Sequence, residues 1–183
     1  PSKVKTPITL SDILVKRTVY MSSKILGEIL YINSGLPFQI NRLHNIYGPR
    51  MGYSHVVPEL IKKLHSKQKK IEVFSPNHSR TFCYYEDAIK IIIRLASSNK
   101  STNSIFNVGN QKPEIKIKNL IKIIMKVLKI KKRIVFIKDS HNSPSRRCPD
   151  MNLTKKIIGK LHYTKIEDGI LKTFYYFDKN KSE

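Results

Sequence analysis

Tyr20 and Lys24 stand four residues apart. On a helix, positions i and i+4 share one face, which would set an ammonium beside a phenol. A free phenol ionises near pH ~10, and a cation held close lowers that value. A phenol so tuned can exchange a proton with a substrate hydroxyl. The same spacing recurs at Tyr175 and Lys179 in the polar C-terminal tail, so the surroundings must separate the two pairs. Around the first, Ser23, Lys24, Gly27 and Glu28 continue a helical pattern that Gly35-Leu36-Pro37 ends. Proton transfer is one reading of Tyr20 and Lys24; a surface pair on an amphipathic helix is the other. Ser22 and Ser23 read as close-packing residues rather than nucleophiles, because no histidine base lies near them.

Other side chains suit anions. Arg80 and Arg147 carry guanidinium groups, which bind phosphate oxygens in a bidentate fork. Arg146 either joins them or pairs with a surface carboxylate. Asn45 follows an apolar strand, and ligands of open α/β sheets gather at the carboxyl ends of strands. An asparagine there equally suits the turn before Gly48-Pro49. The histidines show no metal-ligand spacing, so no metal site is expected and His44 is neither a ligand nor a persuasive base. Cys83 lies in an apolar-aromatic run and reads as a small buried side chain.

These residues need elements to place them. Helix signals cover Thr18 to Ser34, Val56 to Ser66, Glu86 to Ser97, Ile117 to Leu128, Met151 to Ile158 and Ile166 to Phe177. Pro58 is tolerated because it falls in a first turn, and Asp150 is a candidate N-cap. Strand-like runs cover Phe38 to Leu43, Ile71 to Phe74, Thr81 to Tyr84, Ser104 to Val108 and Arg133 to Ile137. Their alternation argues an α/β fold.

The net charge of +22 on 183 residues invites a nucleic-acid reading. The lysines are spread along the whole chain, however, and no basic recognition helix or aromatic-studded strand accompanies them. In the densest run, Lys116 to Arg133, Leu120, Ile121, Ile124, Val127 and Leu128 form one helical stripe. The basic residues there read as a solvated face. Neither nucleic acid nor membrane is therefore an expected partner; no run approaches the ~18 apolar residues of a membrane span. Two cysteines form no disulfide framework, and a reduced, cytoplasmic setting is the default.

Further motifs extend the series: Asn45-Ile46-Tyr47-Gly48-Pro49-Arg50, Arg80-Thr81-Phe82-Cys83-Tyr84-Tyr85-Glu86-Asp87, and Phe106-Asn107-Val108-Gly109. Ser143-Pro144-Ser145-Arg146-Arg147-Cys148-Pro149-Asp150 and Ile166-Glu167-Asp168-Gly169-Ile170 follow. In this order and spacing they resemble the C-terminal half of an extended short-chain dehydrogenase/reductase. The kind resembled is the NAD-dependent nucleotide-sugar epimerase, dehydratase or decarboxylase, from about Pro7 to Phe177. The resemblance implies late strands of a Rossmann-type sheet, Phe38 to Leu43 and Ser104 to Val108, plus a smaller α/β substrate-binding lobe. The glycines fall at 27, 35, 48, 52, 109, 159 and 169, and none makes a glycine-rich phosphate loop. Residues 1–183 thus read as a single fragment with the N-terminal dinucleotide-binding half missing.

The resemblance also implies roles. Tyr20 would be the proton-transfer tyrosine, with Lys24 beside it holding the ribose of NAD. His44 would run close to the nicotinamide. Asn45 would contact a nucleotide-diphosphate sugar, Arg80 and Arg147 its phosphates, Phe82 its base, and His55 the phosphates again. The reaction implied first is epimerisation through a transient keto sugar in a homodimeric enzyme. A dehydratase or UDP-glucuronate decarboxylase is the alternative: Tyr47-Gly48-Pro49-Arg50-Met51 and Arg146-Arg147 favour decarboxylation, and Ser54-His55 in place of Gly-Arg disfavours it. From other classes stand an inactive fragment and a basic anion- or nucleic-acid-binding domain. Two departures from the family stand out. Ser75-Pro76-Asn77-His78 replaces Gly-Asp-Gly, which bears on the usual nucleotide contacts. Lys160 and His162 replace an aromatic residue and a proline, which would either weaken packing of the last helix or mark a sequence released from selection.

Overall fold

The computed structural model describes residues 1–10, 13–138 and 144–180, so Ser143 of the Arg146-Arg147 motif lies outside the described residues. In chain order the elements are α1 (Lys16–Ile32), β1 (Gln39–Leu43), β2 (Ile46–Tyr47), α2 (Val56–His65), β3 (Lys70–Phe74), β4 (Ser79–Arg80) and β5 (Cys83–Tyr84). Then follow α3 (Tyr85–Ala96), β6 (Ser104–Val108), β7 (Ile115–Lys116), α4 (Ile117–Val127), β8 (Arg133–Ile137), β9 (Arg146–Arg147), α5 (Asn152–Ile158) and α6 (Ile166–Lys179).

The two runs expected to be sheet strands pair with each other. β1 and β6 are parallel, from Gln39 opposite Ser104 to Leu43 opposite Val108. Apolar as it reads, β1 is only half-buried, and Leu43 is exposed. Among the described residues β6 is its only neighbour, so one edge and much of its surface meet solvent. α3 and α5 cover β6 instead, closing a core of Ile91, Leu95, Phe106, Val108, Met151 and Cys83. Full burial of each large aliphatic chain there contributes roughly 1.5–3 kcal/mol.

A second core fills the smaller lobe. α2, α4 and α6 pack around the parallel β3–β8 pair, burying Leu60, Ile61, Leu64, Ile71, Leu120, Ile121, Ile124 and Ile170. The β2–β5 ladder joins the two cores, because successive residues of a strand face opposite ways. Cys83 points into the first core, and Tyr84 with Tyr47 into the second. Glycine at 169 is what lets α6 approach that aromatic pair. A Cβ there would collide with the Tyr47 hydroxyl and lie 2.8 Å from Tyr47 Cζ. The last helix is seated in the core, with Ile170 and Thr173 fully buried.

Other expectations shift in detail. The Thr81 to Tyr84 strand is broken in two, because the chain changes partners: β4 lies between β7 and β9, and β5 pairs with β2. Strands β2, β7 and β9 hold two residues each, too short to carry a periodic signal. Asp150 Oδ1 accepts from the Asn152 amide at 2.9 Å, tying down the start of α5 as a capping carboxylate does. α1 is held on β1 by the bidentate Arg42–Glu28 pair (2.6 Å), while Val19, Leu26, Ile29 and Leu30 remain exposed.

Candidate functional site

The pleat of β4 sends Ser79 and Arg80 to opposite sides. Arg80, with His78 just before the strand and Phe82 just after it, lines one cavity of about 380 Å³. Ser79 faces away, its hydroxyl 3.5 Å from Glu114 Oε2. The strand register carries the same sorting to β9: Arg147 lies opposite Arg80 and lines the cavity, while Arg146 lies opposite Ser79. Arg146 Nε donates to Glu114 Oε2 at 2.8 Å, and that guanidinium holds the Glu114 carboxyl below its usual range. Arg146 thus takes the surface-carboxylate role and Arg147 the inward one.

Two more walls complete the cavity. Asn45 adopts a left-handed backbone (φ 47°), which asparagine tolerates better than most residues. Its carbonyl accepts from the Cys83 amide at 3.2 Å, and its Nδ2 donates to the Arg147 carbonyl at 3.4 Å. Asn45 therefore makes the turn and also lines the cavity. Opposite, the start of α2 contributes His55, Val56 and Val57. Helix N-termini carry amides without intrahelical partners and favour anions. Asn45, His55, Arg80, Phe82 and Arg147, far apart in sequence, thus meet around one space.

Arg80 is 8% exposed, with Nη1 donating to the Ser79 carbonyl at 2.8 Å and Nη2 to that of Pro144 at 2.6 Å. These bonds hold the fork in one orientation. Phe82 packs edge-on against Tyr47, and Glu59 of the cavity wall is paired with Lys63 at 2.6 Å. Two guanidinium groups, a helix start and an aromatic wall suit a phosphorylated ligand with a planar base.

Tyr20, Lys24 and His44 do not line that cavity. Tyr20 is exposed on α1, and the Lys24 ammonium lies over its ring, 5.4 Å from the centroid, rather than beside the hydroxyl. A cation is drawn to the negative face of an aromatic ring, and the lysine stem is long enough to reach it. Ser23 Oγ donates to the Tyr20 carbonyl at 2.8 Å, which commits it to its own helix. His44 sits at the carboxyl end of β1, its Nε2 2.9 Å from Asn107 Oδ1. Asn107 Nδ2 donates to the carbonyls of Ser2 and Asp150, so the imidazole must be the donor in the contact with Oδ1. Burial lowers the His44 pKa; the Asn107 bond opposes this and the nearby Arg42 and Arg147 charges add to it.

Sequence reasoning missed His78 and the hub role of Asn107. The alternation His78-x-Arg80-x-Phe82 was visible in the chain and was the available signal for the first. Nothing local marked the second. Among the described residues no cluster of histidine, cysteine and acidic side chains is arranged to hold a metal, and no helix is long and apolar enough to cross a membrane.

Parallel strands, helices on the sheet and a polar cavity beyond the strand ends define a Rossmann-type α/β protein. The chain belongs to the NAD dependent epimerase/dehydratase family, whose model matches residues 3–109. It is similar to UDP-glucuronic acid decarboxylase 1 of Xenopus tropicalis, 29% identical over 147 residues, covering 79% of this chain and 34% of that protein. Its fold matches UDP-glucuronic acid 4-epimerase from Bacillus cereus, solved with UDP-glucuronic acid and NAD. There the TM-score is 0.78 at 20% identity, with 97% of this chain and 58% of the other covered. dTDP-glucose 4,6-dehydratase from Streptomyces venezuelae gives a TM-score of 0.76 at 17% identity, covering 88% and 50%. The chain therefore spans between a third and three fifths of the length of these proteins.

NAD is the cofactor expected of the family. The groups present fit part of it: a solvent-facing phenol and ammonium on one face of α1 suit ribose hydroxyls and a nicotinamide. The pyrophosphate finds no glycine-rich strand–loop–helix among the glycines of this chain.

Proposed function

We propose that this chain is the substrate-binding portion of an NAD-dependent nucleotide-sugar epimerase. The observation that supports it is the convergence of Asn45, His55, Arg80, Phe82 and Arg147 on one cavity of about 380 Å³. Arg80 and Arg147 grip the diphosphate, the α2 start offers its amides, and Phe82 and Tyr47 present an aromatic wall to the nucleoside. Asn45 contacts the sugar side. Tyr20, on α1, takes the proton from a sugar hydroxyl, and Lys24 supports it and holds a ribose. Held by the Lys24 side of α1, NAD would supply the hydride acceptor for the carbon whose hydroxyl Tyr20 deprotonates. His44, donating through Nε2 to Asn107, orients the end of β1 next to the reacting ring.

A second reading, decarboxylation of a nucleotide-linked uronic acid, is favoured by the 29% identity to the frog decarboxylase. The two part on product. Supplied with UDP-glucuronate and joined to a glycine-rich NAD-binding half, an epimerase returns the C4 epimer and a decarboxylase releases carbon dioxide. For the shared binding step, Arg80→Ala is expected to weaken nucleotide-sugar binding to this chain by about 1.5–3 kcal/mol, the worth of hydrogen bonds to a charged group. An unchanged dissociation constant by calorimetry counts against the cavity.

A further inference from the structure

We infer that His78 is a third anion-contacting residue of the cavity, donating an imidazole N–H to the diphosphate of the ligand and doing so most strongly when protonated. The inference rests on the nucleotide-sugar reading of the cavity and adds a residue to it.

Three observations carry it. The first is position: His78 closes the turn that leads into β4, two residues before Arg80, and both line the cavity. Neighbours on one cavity wall, the two side chains can be met by a diphosphate, which carries charge on two phosphorus centres. The second is rigidity. The turn before β4 is closed by the His78 amide on the Ser75 carbonyl (3.0 Å). The carbonyls of Pro76 and His78 accept from the Lys118 and Ile117 amides, each at 3.0 Å. The loop is thus clamped to the start of α4, and the imidazole is presented from a fixed backbone. The third is strain. Ser75, also in the cavity wall, holds a left-handed backbone (φ 51°), a conformation costly for serine that collects at ligand-binding sites.

The charge setting favours an anion. Facing the space are Arg80 from β4, Arg147 from β9, and His55 and Glu59 from α2 and its approach, whereas the Tyr47 hydroxyl is turned away to the Ile166 carbonyl of α6. Glu59 is already paired with Lys63. Among the described residues the His78 ring makes no hydrogen bond, so its donors remain for a ligand. A free histidine titrates near pH ~6.5. An anion in contact favours the protonated ring, so binding tightens as pH falls and weakens as pH rises through the value in the complex.

The test is calorimetric titration of the full chain with UDP-glucose between pH 5.5 and 8.5. That diphosphate is a diester with no ionisation in the range, so the slope belongs to the protein. The wild-type dissociation constant is expected to tighten by about tenfold toward low pH, as one charge-assisted hydrogen bond is gained. In His78→Gln most of that slope should vanish, leaving affinity near the wild-type value at pH 8.5. His55→Gln should keep the part due to His78. Proton NMR of the histidine Cε1–H resonances supplies the readout free of folding effects: the signal lost in His78→Gln should titrate at higher pH in the wild type once ligand is bound. A full slope in His78→Gln, or a resonance whose titration ignores the ligand, overturns the role of His78 and leaves the cavity assignment standing. No binding of UDP-glucose at any pH overturns both.

Discussion

At the residue scale, chemistry and packing pull on the same side chains. Tyr20 projects from α1 with its phenol in solvent, and nothing about its packing requires the hydroxyl. In a protein joining this chain to a glycine-rich NAD-binding half, Tyr20→Phe is expected to lower kcat by roughly 100-fold or more with KM little changed, the usual share of a positioned acid–base group. Tyr175→Phe, also an exposed tyrosine four residues before a lysine, should leave kcat unchanged. The reverse outcome sinks the assignment. His44 offers a pH test of the fold. Burial, the largest cause, depresses its pKa below the usual 6.5. Below that value the unfolded chain takes up protons that the folded chain refuses, so stability is fully present above about pH 6.5 and is lost as pH falls toward the depressed value. Urea unfolding of His44→Phe, compared with wild type at pH 7.5 and 5.5, should show a shallower loss of stability on acidification. An equal loss in both would show that His44 is not the group responsible.

At the element scale, the arrangement of the lobes depends on how closely α6 meets the β2–β5 junction. Gly169 lies against Tyr47 and Tyr84, so an alanine there must push aside a buried aromatic ring. Gly169→Ala is expected to cost about 1–3 kcal/mol by urea denaturation, the range for overpacking. Gly27→Ala is the matched control: it lies inside α1 with nothing within 4 Å of its added Cβ, and should gain about 0.5–1 kcal/mol. Two variants of like sign would show that crowding at Tyr47 is not what the helix geometry obeys. Asp87, 4% exposed, fixes the approach to α6 by accepting from the Thr164 amide at 2.7 Å and its hydroxyl at 3.2 Å. Asp87, in the first turn of α3, thus clamps that helix to the approach of the last one.

At the scale of the whole molecule, the division of labour follows from which surfaces the chain can cover. The cavity carrying Arg80 and Arg147 already gathers its anion-binding groups from described residues, whereas the surface expected to meet NAD offers side chains but no glycine-rich loop. This chain by itself is expected to bind NAD no better than millimolar, since backbone amides of such a loop supply much of the pyrophosphate grip; micromolar affinity by calorimetry would contradict that. The sequence by itself determined the helices, the long strands and their α/β alternation, because hydrophobic periods of 3.6 and 2 are local properties that need no partner. It also marked Asn45 and Arg80, since an asparagine after a strand and a guanidinium before an aromatic run are local as well, whereas Arg147 was marked by the resemblance that its Arg-Arg-x-Pro-Asp segment carries. The tertiary structure alone decided that Arg147 turns inward while its neighbour Arg146 meets Glu114, because strand register with β4 selects one face of the pleat. It decided that Lys24 lies over the Tyr20 ring, which a shared helix face permits but does not specify. And it decided that His78 joins Arg80 at one cavity wall, since a two-residue strand held from both sides by β7 and β9 takes its direction from its neighbours.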